Sequence, residues 1–253
     1  MTSNDNQNDN SGSFVGHLTE LRSRLIKSFI FFIFIFLICW FFSVDIYRFL
    51  VQPYSDALLS NELDRRLIFT ALHEAFLTYL KVAFFAALFI SSPIFLTQIW
   101  KFIAPGLYKN EKKALLPYLI ATPTLFILGG CLVYYFIMPV AIKFFLSFET
   151  VAEPGVIAIQ LEAKVNEYLS LIMTLIFAFG ITFQLPIILS LLARIGVIDS
   201  EYLKKRRRYF VVIIFIVAAL LTPPDPISQI GLAVPLLLLY ELSIFIIKFI
   251  EKK

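Results

Sequence analysis

Charged side chains are scarce in this chain of 253 residues, and cysteine, histidine and glycine are scarcer still. Only 16% of the residues are charged and 59% are hydrophobic, whereas a soluble domain carries roughly 25% charged residues. The mean hydropathy is +0.84. This composition excludes an ordinary soluble enzyme or binding module, and we expect one membrane domain.

The few cysteines and histidines offer no catalytic or metal-binding constellation. Cys39 and Cys131 lie inside apolar runs without disulfide or metal-ligand spacing, and we interpret them as small apolar fillers. His17 and His73 lie outside those runs, and no paired carboxylates share a helix face within them. An intramembrane enzyme needs such groups, and a glycine-rich phosphate loop is missing as well. We therefore expect no enzyme, no cofactor and no metal.

What the chain does have is six apolar runs, and a helix needs roughly 20 residues to cross the hydrocarbon. They predict an all-α, polytopic membrane domain over residues 14–250, between a flexible polar tail at 1–13 and a short tail at 251–253. The predicted spans cover about 28–44, 75–99, 115–138, 168–192, 209–222 and 227–249.

The fifth predicted span is short, since 14 residues reach only about 21 Å across a hydrocarbon core of about 30 Å. Either the bilayer thins around it or neighbouring helices share the mismatch. Five prolines lie within the second, third, fourth and sixth predicted spans, and they predict kinked helices that form a concave shape. These are Pro93, Pro117, Pro123, Pro186 and Pro235.

The distribution of lysine and arginine predicts the orientation. The termini and the second and fourth predicted connections carry 16 of the 22 basic residues, the other connections carry five, and Lys81 lies within a span. Because positively charged loops stay inside, both termini are expected in the cytoplasm. The net charge of +4 reflects this topology and indicates no nucleic-acid partner.

Four motifs occur in order along the chain: HLTELR at 17–22, QIWKFIAPGLYKNEK at 98–112, AFGITFQLP at 178–186 and LLTPPDPISQ at 220–229. Together they resemble the TatC family, the multi-spanning core subunit of the twin-arginine protein translocase. The resemblance covers about 14–250. It implies a bacterial cytoplasmic-membrane protein that binds twin-arginine signal peptides and nucleates a complex exporting folded proteins by the proton-motive force. The implied partners are TatB-like and TatA-like single-span subunits and further copies of the chain.

By motif match, Glu20 and Glu111 would receive the two signal-peptide arginines. Leu18, Phe102 and Pro105 would supply apolar walls. The chemistry suits the task, because guanidinium and carboxylate form bidentate charge-assisted hydrogen bonds that lysine cannot reproduce. From the residues alone, Glu20 also fits a helix-start carboxylate, and Glu111 fits a surface salt bridge.

Two polar residues fall inside predicted spans, where such groups need partners. Gln184 stands where the family commonly carries glutamate, so this chain has no titratable group there. Glu241 lies in the last span. It is either hydrogen-bonded to a neighbouring helix or a polar contact for a partner's span.

Two further residues belong to the predicted external segments. Pro53 is interpreted as a structural break, and Asp225 as a turn residue that bonds nearby amides or fixes an external cap. The main alternative function is a secondary transporter of a small solute or ion. That class predicts inverted repeats and a polar midplane site, whereas the spans hold few polar groups.

Overall fold

The computed structural model describes the backbone of residues 5–59, 66–107, 116–150, 157, 159–222 and 226–251. In these ranges the chain forms ten α-helices, a π-helical turn and two isolated β-bridges, and no strand. The all-α fold class is confirmed. The helices are α1 (Asp5–Phe41), α2 (Ser43–Leu59), α3 (Glu74–Leu107), α4 (Leu116–Leu132), α5 (Met138–Leu146), α6 (Val165–Thr182), α7 (Leu185–Arg194), α8 (Ser200–Lys205), α9 (Arg207–Leu221) and α10 (Pro226–Glu251). The π-helical turn, Val133–Ile137, joins α4 to α5.

Five segments of the described chain are long and apolar enough to cross a membrane. They are Thr19–Phe41, Glu74–Ile99, Leu116–Leu146, Val165–Arg194 and Pro226–Glu251. They correspond in order to five of the six predicted spans. The predicted fifth span coincides with α9, whose 15 residues reach only about 22 Å at about 1.5 Å per residue. Helical backbone also begins at Asp5, within the segment predicted as a polar tail.

Glycines let α4 and α6 approach closely. A Cβ at Gly129 would lie 2.7 Å from the Phe179 carbonyl oxygen, and one at Gly180 would lie 2.7 Å from the Phe126 ring. Small residues allow this kind of backbone contact between apolar helices, where packing is the main source of association. The two glycines therefore set the distance between the two helices.

Aromatic rings fill the space between α3, α4 and α6. Phe126 packs against Phe89 and Phe177 with ring centroids 5.2 and 6.0 Å apart, and Phe85 lies 5.2 Å from Phe177. Edge-to-face and tilted arrangements at these distances contribute about 0.5–1.5 kcal/mol each beyond their burial. This aromatic cluster holds α3 against the α4–α6 pair.

Pro53 lies inside α2, so its interpretation as a structural break is wrong. Proline has no N–H, which deprives the Phe49 carbonyl, four residues earlier, of its helical donor. The Tyr134 hydroxyl donates to that carbonyl at 2.7 Å, and the Phe49 and Tyr134 rings stack at 4.4 Å. The helix continues because a neighbouring element replaces the missing donor.

At Pro93 a hydroxyl of the same helix replaces the missing donor. The Phe89 carbonyl, four residues before Pro93, accepts a hydrogen bond from the Ser92 hydroxyl at 2.7 Å. Next to the Phe49 site, the Tyr168 hydroxyl of α6 donates to the Leu50 carbonyl at 3.0 Å. The two tyrosines thus fasten α2 to the π-helical turn and to α6.

The short helix α8 is held by the last helix of the fold. Glu251 accepts hydrogen bonds from the Ser200 amide at 2.7 Å and from its hydroxyl at 2.5 Å. The buried Tyr240 hydroxyl donates to the Leu203 carbonyl at 2.7 Å. These bonds satisfy both ends of α8, whose backbone groups lack partners within so short a helix.

Replacing Gly129 by alanine is expected to lower the free energy of unfolding by about 1–3 kcal/mol, because the new methyl group overlaps the Phe179 carbonyl. This loss outweighs the gain of about 1 kcal/mol in helix propensity. Gly231→Ala is the control, since a Cβ there would meet Ile137 at an ordinary 3.6 Å. Thermal unfolding in detergent should show a lower midpoint for the first variant and an unchanged or higher one for the second; equal midpoints would contradict the close contact.

Tyr134→Phe is expected to cost about 1–3 kcal/mol, because it leaves the Phe49 carbonyl without a donor. In a Pro53→Ala background the cost should be smaller, since residue 53 then carries an N–H for the same carbonyl. The exposed neighbour provides the control Tyr135→Phe, expected to be nearly neutral. A double-mutant cycle on unfolding midpoints measures this coupling, and an equal cost in both backgrounds would refute the replacement of the donor.

Candidate functional site

The first candidate site lies where α1 and α3 meet. Glu20 Oε1 accepts hydrogen bonds from Arg24 Nε at 3.1 Å and from Arg24 Nη2 at 2.6 Å. Arg24 Nη1 in turn donates to Gln98 Oε1 at 3.1 Å. One guanidinium therefore links the carboxylate of α1 to the amide of α3.

The carboxylate of Glu20 is partly exposed and is held in one orientation by Arg24. Its side chain is 42% exposed, while that of Arg24 is 26% exposed. Both bonds from Arg24 end on Oε1, and within the part of the chain that the structure describes Oε2 is left for a further donor. Carboxylate oxygens accept several charge-assisted bonds at once, so a second guanidinium can bind here beside Arg24.

The structure places the other residues of this predicted site as follows. Leu18 lies in α1, two residues before Glu20, and Phe102 and Pro105 lie in the last part of α3. Positions 98, 102 and 105 follow the i, i+4, i+7 spacing of one helix face. Glu111 lies outside the described residues, so the pairing of the two carboxylates stays a prediction.

Sequence reasoning missed Arg24 and Gln98 as parts of this site. The spacing of Glu20 and Arg24 is i, i+4, at which opposite charges on a helix pair, and it was a usable signal. Nothing in the sequence alone indicates that Gln98 lies beside them, because the contact joins residues 74 positions apart.

Gln184 lies at the break between α6 and α7, and it is buried with 5% exposure. Its backbone N–H donates a hydrogen bond to the Ile181 carbonyl at 3.0 Å. The side-chain Nε2 donates to the Gly180 carbonyl at 3.4 Å and, across to α4, to the Thr122 carbonyl at 3.0 Å. Its Oε1 is buried and has no partner in the part of the chain that the structure describes.

Glu241 pairs with a neighbouring helix. Its Oε2 accepts a hydrogen bond from Arg207 Nη2 of α9 at 2.6 Å, and both side chains are 50% exposed. Of the two interpretations left open, this geometry favours the bond to a neighbouring helix. Asp225 lies outside the described residues. Within the described ranges, no group of three or more His, Cys, Asp or Glu side chains is placed to hold a metal ion.

Gln184→Glu should make stability depend on pH, because a glutamate there must keep its proton to donate even one hydrogen bond, to the Thr122 carbonyl or the Gly180 carbonyl. The folded state retains the proton that the unfolded state releases at neutral pH, so stability falls as the pH rises. The midpoint of thermal unfolding, measured against wild type between about pH 5 and about pH 9, should drop for this variant. Gln184→Leu, which donates at no pH, should be destabilised equally throughout. A pH-independent glutamate variant would contradict the assigned donors.

Known proteins are similar to this chain over most of its length. A family model described as the Sec-independent protein translocase protein TatC matches residues 16–235. The chain is 49% identical over 239 residues to the TatC protein of Rickettsia prowazekii, with 94% of each chain covered. It is 46% identical to that of Magnetococcus marinus over 94% of this chain and 85% of the relative.

Solved structures agree with this. A crystal structure of the twin-arginine translocase receptor TatC in DDM superposes with a TM-score of 0.76 at 37% identity, covering 91% of this chain and 99% of that one. A second crystal structure of the same receptor gives the same TM-score and identity. The resemblance carried by the four motifs is thereby confirmed. The chain belongs to the TatC family, the multi-spanning core subunits of the Sec-independent, twin-arginine protein translocase.

Proposed function

We propose that this chain receives the paired arginines of signal peptides at the Glu20–Arg24–Gln98 cluster. The observation that carries the proposal is the carboxylate of Glu20, which Arg24 holds through one oxygen only. The proposed order of events is that a folded cargo protein docks by its signal peptide, and the receptor then nucleates the exporting complex.

The cluster suits an incoming guanidinium in both charge and geometry. Arg24 and Gln98 fix the carboxylate, so little side-chain entropy is lost when the peptide binds. An arginine can donate two bonds in a fork, whereas a lysine ammonium offers a point charge. In the proposed site Glu111 takes the second arginine, and Leu18, Phe102 and Pro105 line the surface beside it.

The proposed topology has six crossings with both termini in the cytoplasm. The run 204–208 at the α8–α9 junction is entirely basic, which supports placing that end of the bundle inside. Glu20 and Gln98 then lie at the same cytoplasmic face. In this proposal the short α9 adds one crossing to the five long apolar segments and is the fifth in chain order.

The proposed partners are TatB-like and TatA-like single-span subunits and further copies of the chain, in a bacterial cytoplasmic membrane. Large apolar side chains such as Phe29, Phe41 and Phe245 are exposed, and such surfaces face lipid or other helices. In this proposal the proton-motive force supplies the energy of transport.

The test is crosslinking of a twin-arginine signal peptide to the protein in membranes. Glu20→Gln should weaken the crosslink about tenfold, which corresponds to about 1.4 kcal/mol, the low end for hydrogen bonds to a charged group. Glu111→Ala should act likewise, and a peptide with two lysines should bind poorly to the wild type.

Glu201→Gln is the matched control, since it removes an exposed carboxylate from α8 on the proposed cytoplasmic side. It should leave the crosslink unchanged. Equal crosslinking by wild type, both site variants and the lysine peptide would reject the site. The absence of any crosslink to the wild type would reject the receptor function.

A further inference from the structure

A cleft of about 710 Å³ opens between the first turns of α3 and α6, away from the Glu20 cluster. Its polar rim is formed by Thr70, Glu74, Lys164 and Glu167, and its inner wall by Lys81 and Phe84. The floor is apolar and the rim is charged, so the cleft has the polarity of a membrane-water boundary.

Lys81 is a basic residue that lies about two turns from the start of α3. It follows Glu74, the first residue of α3, by seven residues, or about 10 Å of helix. Its Nζ donates to Asn166 Oδ1 at 2.8 Å and to Ser170 Oγ at 3.2 Å. Asn166 is the second residue of α6, so the lysine stem runs toward the end at which both helices begin. A lysine near a helix end reaches the interface in this way.

The carboxylates of the cleft are held by other groups. Glu74 Oε2 accepts hydrogen bonds from the Thr70 amide at 2.7 Å, the Thr70 hydroxyl at 3.1 Å and the Ala71 amide at 3.2 Å. Glu167 pairs with Lys164 at 3.5 Å. In the described part of the chain, Lys81 has two neutral acceptors and no carboxylate within ion-pair distance. An ammonium has three donors, and one is left for an anion.

A groove leads from Lys81 along the surface of α3 and α6 toward the middle of the bundle. Its volume is about 500 Å³, and it shares Lys81 and Phe84 with the cleft. Beyond them it is lined by Leu88, Phe177 and Ile181. The cleft and the groove together therefore offer a cationic group at one end and an extended apolar channel at the other.

We propose that this site holds one zwitterionic aminophospholipid, with its phosphate on Lys81 and an acyl chain in the groove. A phosphate oxygen accepts a charge-assisted hydrogen bond from the third N–H of the Lys81 ammonium. The free ammonium of the headgroup lies by the carboxylates of Glu74 and Glu167. Because Lys81 and Lys164 balance these two carboxylates, the site favours a headgroup without net charge over an anionic one.

Native mass spectrometry of the purified full chain tests the proposal, with phosphatidylethanolamine, phosphatidylglycerol and phosphatidylcholine of identical acyl chains. Wild type should retain phosphatidylethanolamine in preference to the other two. Lys81→Met should weaken that retention about tenfold, the loss of one charge-assisted bond. Lys81→Arg should keep most of it. Lys143→Met, which removes an exposed lysine of α5 outside the cleft, should match the wild type.

A second variant protects the test against a misfolded Lys81→Met protein. Thr174→Trp fills the groove and leaves the lysine in place, and it too should lose the lipid, whereas Leu238→Trp on the exposed face of α10 should not. Retention unaffected by both Lys81→Met and Thr174→Trp would overturn the site. Equal or stronger retention of phosphatidylglycerol would overturn the zwitterionic occupant. Displacement of the lipid by millimolar inorganic phosphate alone would assign the site to a free anion.

Discussion

The fold depends on the requirement that each backbone carbonyl in an apolar environment find a donor, even where the helical donor is missing. At Pro53 the donor is the Tyr134 hydroxyl, at Pro93 it is the Ser92 hydroxyl, and at the α6–α7 break it is the amide of Gln184. The Tyr134 hydroxyl bonds a carbonyl 85 residues away on another element, whereas the other two donors lie three and four residues from the carbonyls that they bond. At Pro53 the replacement bond therefore also joins α2 to the π-helical turn.

The close packing of α4 against α6 also positions the side chain of Gln184. Gly129 brings the α4 backbone against Phe179, and this closeness lets Gln184 reach the Thr122 carbonyl at 3.0 Å. A wider spacing would leave a buried amide without partners, which costs more than a single missing contact. Small residues and a single amide thus act together at one helix pair.

The long membrane-spanning helices and the family were predicted from the sequence. The contacts that were not predicted were missed for physical reasons. The apolar runs predicted six membrane-spanning segments, five of which correspond to long apolar segments of the described chain, and the four motifs predicted the family, because both signals are local. The helix through Pro53 was missed because the donor that permits it, the Tyr134 hydroxyl, lies 85 residues from the Phe49 carbonyl that it bonds. Arg24 could have been found from its i, i+4 spacing with Glu20, whereas Gln98 could not. Glu111 and Asp225 remain predictions outside the described residues.

The hydrogen bonds that Glu251 accepts from Ser200 affect the order in which the fold is completed during synthesis. These residues are 51 positions apart, so a ribosome adds α9 and α10 before the carboxylate that closes the start of α8 exists. Until then the connection between α7 and α9 lacks this anchor. The last turn of α10 therefore completes α8, and a chain that stops before Glu251 leaves the Ser200 amide and hydroxyl without this acceptor.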